Sequence, residues 1–235
     1  MNRISGHLSD KDFGQPSTTK KAYQCIHIYV GAFAFEDRQK MRSLPKLSPT
    51  TFLVTVNVIV YIYTSLAGGN FVETNPNVLI QLGQFNINVW HGQYWQLLTS
   101  IFVHVDIMHI GLNMLFLIIL GLRAEELFTT EEYFAGYMLS GLSGSLLTLF
   151  MMSPYTLSAG ASGAIFGMYG ASIIYMRKTF GQSIVGALIY AFLLLMLSTG
   201  AGVNLIAHLG GLATGLVIGY SVAKSRGNMI WTENY

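Results

Sequence analysis

The stretch GASGAIFGMYGASIIYMRK, Gly160 to Lys178, decides the architecture. It carries no charge before Arg177, and its apolar part is long enough to lie within a bilayer, where a helix satisfies its own backbone. A serine opens it, flanked by glycines. Similar apolar runs lie near 51 to 67, 99 to 121, 133 to 152, 182 to 199 and 203 to 222, so with 161 to 176 six spans are expected. The composition agrees: of 235 residues, 52% are hydrophobic and only 10% charged, against about 25% charged in soluble domains.

The expected fold is an all-α membrane protein, a six-helix bundle with a water-accessible internal cavity. Its expected parts are an N-terminal extension at 1–48, a membrane domain at 49–223 and a short tail at 224–235. Met1 to Lys21 is polar and lacks the apolar core of a cleavable signal peptide. On a six-span topology all thirteen Lys and Arg fall on one side: eight before the first span, then Arg123, Arg177, Lys178, Lys224 and Arg226. The positive-inside rule makes that side the cytoplasm, with both termini there. A net charge of +2 without a dense basic run disfavours nucleic acid as a partner, and the single Cys25 carries neither a disulfide nor a thiolate metal site. The first outside loop holds Phe71, Trp90, Tyr94 and Trp95, which suit an interfacial belt.

Strongly polar groups inside spans are costly, at about 2.5–3.5 kcal/mol for a central charge. Few are present: His104, Asp106, His109 and Asn113 on the second expected span, Ser162 on the fourth, Asn204 and His208 on the sixth. Counting about 1.5 Å per residue back from the basic residue ending each span puts His109 about 21 Å, Ser162 about 22 Å and His208 about 24 Å away. The three share one level. Asn113 lies one turn from His109 on the same face. Because the fourth span is short, its first turn begins below the outer surface, where free N–H groups and a positive helix end suit a developing oxyanion. Gly163 and Gly167, and Gly211 and Gly215, have the spacing that lets helix backbones approach closely, enough to bring Ser162 to His208.

This inventory restricts the chemistry. No His-Glu-x-x-His string occurs, and the five-residue spacing of His104 and His109 suits one metal poorly, so no metal is expected. Asp106 is the one acidic residue within the expected span cores, whereas an aspartyl mechanism needs two. The sixth span offers no acid for a triad, which leaves a Ser-His dyad.

GASG around Ser162, AHLGGLATG around His208, and His-x-x-x-Asn at His109 and Asn113 together resemble the rhomboid proteases over about residues 50 to 222. The resemblance implies a serine endopeptidase that cleaves single-pass transmembrane proteins in or near their membrane segment, in a prokaryotic cell membrane and without a cofactor. It implies Ser162 as nucleophile, His208 as general base, and His109, Asn113 and the Ser162 backbone N–H as oxyanion hole. His104, Gly160, Gly163, Gly211, Gly215 and Glu125 are supporting residues, with Glu125 structural at the cytoplasmic end. Two departures stand out. Trp95 is followed by Gln96 where relatives often carry arginine, and a glycine expected soon after Glu125 is replaced near Thr129. The rival expectations are an inactive rhomboid-like protein that binds membrane clients, and a channel or transporter with a histidine-lined cavity.

Overall fold

Local sequence fixes the ends of most helices in the structure, a computed structural model that describes residues 48–181, 185–186 and 203–232. Helix α1 (Pro49–Gly68) starts at Ser48, whose hydroxyl accepts from Thr51 N at 3.1 Å, has proline in its first turn and stops at Gly69 with φ 71°. These are favourable start and stop chemistries. The segment after α1 then folds into α2 (Pro76–Leu82), β1 (Gln84–Phe85), α3 (Asn86–Trp90) and α4 (Gln96–Thr99). Next come α5 (Ile107–Glu125), α6 (Thr130–Met151), β2 (Leu157–Ser158), α7 (Ser162–Phe180) and α8 (Leu205–Thr232). The two strands pair antiparallel, Gln84 with Ser158 and Phe85 with Leu157.

Among the described residues α1, α5, α6 and Leu205–Gly227 of α8 are long and apolar enough to cross a membrane. Helix α7 packs against α5, α6 and α8 and is buried almost continuously from Gly163 to Ile173. A helix enclosed by protein has less need of the bulky apolar side chains that face lipid, and α7 is rich in Gly, Ala and Ser. The span expected near 182 to 199 and the N-terminal extension lie outside the described residues, apart from Ser48 and the helical pair Val185–Gly186. The last helix runs past the expected tail boundary, to Thr232.

The second span needs correction. It begins at Ile107, not near 99, so His104 lies on the preceding loop and Asp106 is the helix N-cap, its carboxylate accepting from His109 N at 2.7 Å. Residues 99 to 106 are apolar because they pack inside the protein, with Ile101 and Val103 buried. Hydropathy alone does not distinguish such a loop from a span.

Buried amides hold the segment between α1 and α5. Gln84 Nε2 donates to Asn86 Oδ1 and Ser145 O, Asn86 Nδ2 donates to Thr148 O and Ser153 O, and all three side-chain amides of Gln84, Asn86 and Gln96 are buried. Gln96, which stands where the resemblance leads one to expect arginine, leaves its surroundings paired: Nε2 donates to Ile80 O at 2.8 Å while Oε1 accepts from Phe85 N at 2.9 Å. A neutral amide supplies donor and acceptor without burying a charge. Phe71, Trp90, Tyr94 and Trp95 remain exposed.

Helices α7 and α8 meet backbone to backbone. A Cβ on Gly211, Gly215 or Gly219 would collide with the carbonyl oxygen of Gly163, Gly167 or Ala171 respectively. The partners are offset by 48 residues each time, so the helices run parallel in one fixed register over about two turns. On the other side, a Cβ on Gly144 of α6 would lie 2.6 Å from Ala207 O. At the far end Arg226 of α8 donates to Leu127 O and Tyr175 Oη, pairs with Glu132 and lies over the Tyr175 ring. Glu125 Oε1 accepts from Thr50 N at 2.6 Å, tying α5 to the start of α1. Thr129, near where the resemblance leads one to expect a glycine, forms a reciprocal capping box with Glu132 at the start of α6.

Candidate active site

Three helix N-termini converge at the opposite end from Arg226. Ser162 is the first residue of α7, while His109 and His208 lie in the first turns of α5 and α8. The shared level counted from the basic residues is therefore a meeting of helix starts, and each adds a positive dipole end. Two of the three starts are capped by side chains: Asp106 accepts from His109 N, and Asn204 Oδ1 accepts from Ala207 N at 3.0 Å. Helix α7 has no side-chain cap. Its first hydrogen bond of helical spacing runs from Ile165 N to Ala161 O at 3.0 Å, so the N–H groups of Ser162, Gly163 and Ala164 have no such partner within the helix. An anion placed there would meet several donors at once.

The register of α7 and α8 brings His208 Nε2 to 2.7 Å from Ser162 Oγ. His208 is only 3% exposed, and its ring stacks on Phe166 at 4.6 Å between centroids with 26° between planes. Among the described residues its Nδ1 is buried without a hydrogen-bond partner, so none of their carboxylates orients the imidazole from behind. Phe166 does so by contact. Sequence reading passed over this residue. The available signal was its position four residues after Ser162, which puts both side chains on one helix face.

His109 faces the same place from α5. A Cβ added to Gly160 would lie 2.8 Å from His109 Cε1, 2.9 Å from Nε2 and 3.8 Å from Ser162 Oγ, so the imidazole edge and the serine hydroxyl flank one glycine. Gly160 has φ 130°, a conformation glycine adopts readily and other residues do not. Its N–H donates to Ser100 O at 2.9 Å, which fixes the approach to Ser162 against the loop before α5. His104, fully buried, sets its ring edge-on to His109 with centroids 5.3 Å apart; its Nδ1 lies 3.2 Å from Phe102 O, and its carbonyl accepts from Thr74 Oγ1. It packs behind His109, away from the serine's hydrogen bonds.

Asn113 donates from Nδ2 to His109 O at 2.9 Å, one turn back on its own helix, and its Oδ1 is buried without a partner among the described residues. One Nδ2 proton is thus engaged, and the second is the donor available elsewhere. Gly163 lies beside Ala207, with 3.2 Å from a notional Cβ to the Ala207 carbonyl oxygen, and Gly211 and Gly215 continue that contact. Glu125 is at the other end of α5 and takes no part in the cluster.

Comparison with known proteins points to one family. The family model described as the Rhomboid domain matches residues 91–225. Rhomboid-like protease 3 of Toxoplasma gondii is 30% identical over 179 residues, which cover 71% of this chain and 66% of that protein. Rhomboid protease GluP of Bacillus subtilis (strain 168) is 33% identical over 174 residues, 71% of this chain and 33% of the relative. Putative rhomboid protease YdcA of the same bacterium is 26% identical over 181 residues, 75% of this chain and 89% of the relative. The chain spans about a third to two thirds of the length of the first two.

Proposed function

The chain belongs to the rhomboid family of multi-pass membrane proteins, and on that premise we propose that it is a serine endopeptidase that cleaves single-pass transmembrane proteins within or near their membrane segment. The observation that carries the reading is the 2.7 Å contact of His208 Nε2 with Ser162 Oγ at an uncapped helix start. A hydroxyl beside an imidazole on a neighbouring helix is the arrangement of an activated nucleophile.

In this reading Ser162 Oγ attacks the carbonyl carbon of the scissile peptide while His208 Nε2 takes its proton. The carbonyl oxygen gains negative charge and is held by the Ser162 N–H, by His109 Nε2–H and by the second Nδ2 proton of Asn113. Proton transfer from Nε2 to the leaving nitrogen then breaks the peptide bond and leaves an acyl-serine. A water, deprotonated by the same imidazole, releases the acid. General base catalysis contributes about 10²–10⁴-fold, and one oxyanion donor about 10²–10³-fold. With Nδ1 unpaired among the described residues, none of them gives the imidazolium the carboxylate of a triad, and Phe166 supplies the orientation.

The proposed setting is a six-helix bundle with both termini cytoplasmic and a water-accessible cavity above Ser162. A client-binding relative without activity, or a channel, gains nothing from the Ser162–His208 contact. The test is cleavage of a model transmembrane substrate by the reconstituted chain, with reaction of a fluorophosphonate probe in parallel. Ser162→Ala should abolish both while leaving the protein folded, and His208→Ala should prevent labelling. Cleavage retained in Ser162→Ala would remove the reading.

A further inference from the structure

We propose that Asn204 is a positioning residue for the reaction proposed above, holding the helix that bears His208 and the strand that leads to Ser162 in one frame. The proposal rests on that reading. Its ground is the way one side chain uses both its donors and its oxygen across three elements. Oδ1 accepts from Ala207 N at 3.0 Å, capping α8. Nδ2 donates to Thr148 Oγ1 of α6 at 2.8 Å and to Ser158 Oγ of β2 at 3.0 Å. The amide orientation is determined, because the oxygen must face the Ala207 N–H and the nitrogen then faces the hydroxyls.

Both ends of that link lie four residues from the reacting groups. Asn204 precedes His208 by one helical turn, and its carbonyl accepts from His208 N at 3.3 Å. Ser158 precedes Ser162, separated by the turn that contains Gly160. The Thr148 end is itself fixed, since Thr148 Oγ1 donates to Gly144 O at 2.8 Å and Thr148 O accepts from Asn86. Glycine packing sets the register of α7 and α8 from Gly163 inward but offers no hold above Ser162. Asn204 supplies that hold. It does not act as the third member of a triad, because its oxygen is occupied by Ala207 N and His208 Nδ1 is unpaired.

The experiment measures the rate constant for fluorophosphonate labelling of the full chain in detergent, well below the melting temperature, together with kcat and KM on a transmembrane substrate. Asn204→Ala should lower the labelling rate constant and kcat about tenfold, with KM changed less than twofold. A residue that only stabilises the fold would lower the labelled amplitude and leave the rate constant of the folded molecules unchanged. Ser158→Ala guards against misfolding, since it keeps the cap and the Thr148 bond and removes only the link to β2. It should slow labelling about threefold. Labelling rate constants within 1.5-fold of the unmutated chain in Ser158→Ala, or in a folded Asn204→Ala, overturn the proposal alone. No labelling of the unmutated chain, or equal labelling of Ser162→Ala, overturns the protease reading and this proposal with it.

Discussion

Gly160→Ala tests whether His109 works beside Ser162. The added Cβ would stand 2.8 Å from His109 Cε1 and 2.9 Å from Nε2. Unbonded carbons settle at about 3.5–4.0 Å, so the ring must retreat by about 0.7–1.2 Å. Alanine at φ 130° adds backbone strain of about 1–3 kcal/mol, which lowers the melting temperature. A catalytic group displaced by about 1 Å loses on the order of a hundredfold in rate, close to the full contribution of one oxyanion donor. We therefore expect kcat for a transmembrane substrate to fall about a hundredfold, with KM nearly unchanged because ground-state binding does not use that donor. The decisive comparison is made in a His109→Ala background. There the ring that would collide is gone, and adding Gly160→Ala should cost no more than about threefold further. A full hundredfold loss in both backgrounds would show that the damage comes from the backbone and not through His109. Unchanged kcat in Gly160→Ala would refute the placement of His109 as a donor.

Asn113→Ala should slow turnover by roughly a hundred- to a thousandfold without abolishing it; loss of substrate affinity at full turnover would move Asn113 to a binding surface. Phe166→Leu removes the ring stacked on His208, worth about 0.5–1.5 kcal/mol, so fluorophosphonate labelling should slow about two- to tenfold at little cost in folding. Labelling at the unmutated rate would mean that the imidazole is oriented by something else. Arg226→Met removes bonds to Leu127 O, Tyr175 Oη and Glu132 at the far end of α8. Partial exposure limits the loss to about 1–2 kcal/mol, read as a lower melting temperature with the labelling rate of the folded protein unchanged.

The sequence by itself determined the spans that lipid dictates and the polar residues that lipid makes conspicuous. Apolar runs of spanning length are a local property, so α1, α6 and the start of α8 fall close to where composition puts them. Ser162, His109, Asn113 and His208 stood out because each is costly in a bilayer without a purpose. Their common level followed from helical rise alone. The limits of such reading are equally physical. Residues 99 to 106 are apolar because protein surrounds them, and only the cap geometry of Asp106 separates that loop from α5. Glycine spacing announced close helix approach, but the register that offsets the packed backbones by 48 residues, and so brings Ser162 to His208, is a property of two surfaces in contact. Gln96 stands out in the sequence as a departure from an expected arginine, and only its neighbours show it to be a paired, buried amide. Phe166 and Asn204 owe their places to neighbours 42 to 56 residues away in the chain, on α6, β2 and α8. Hydropathy and spacing register what each residue prefers; which partner satisfies that preference was decided only by the packing of the helices.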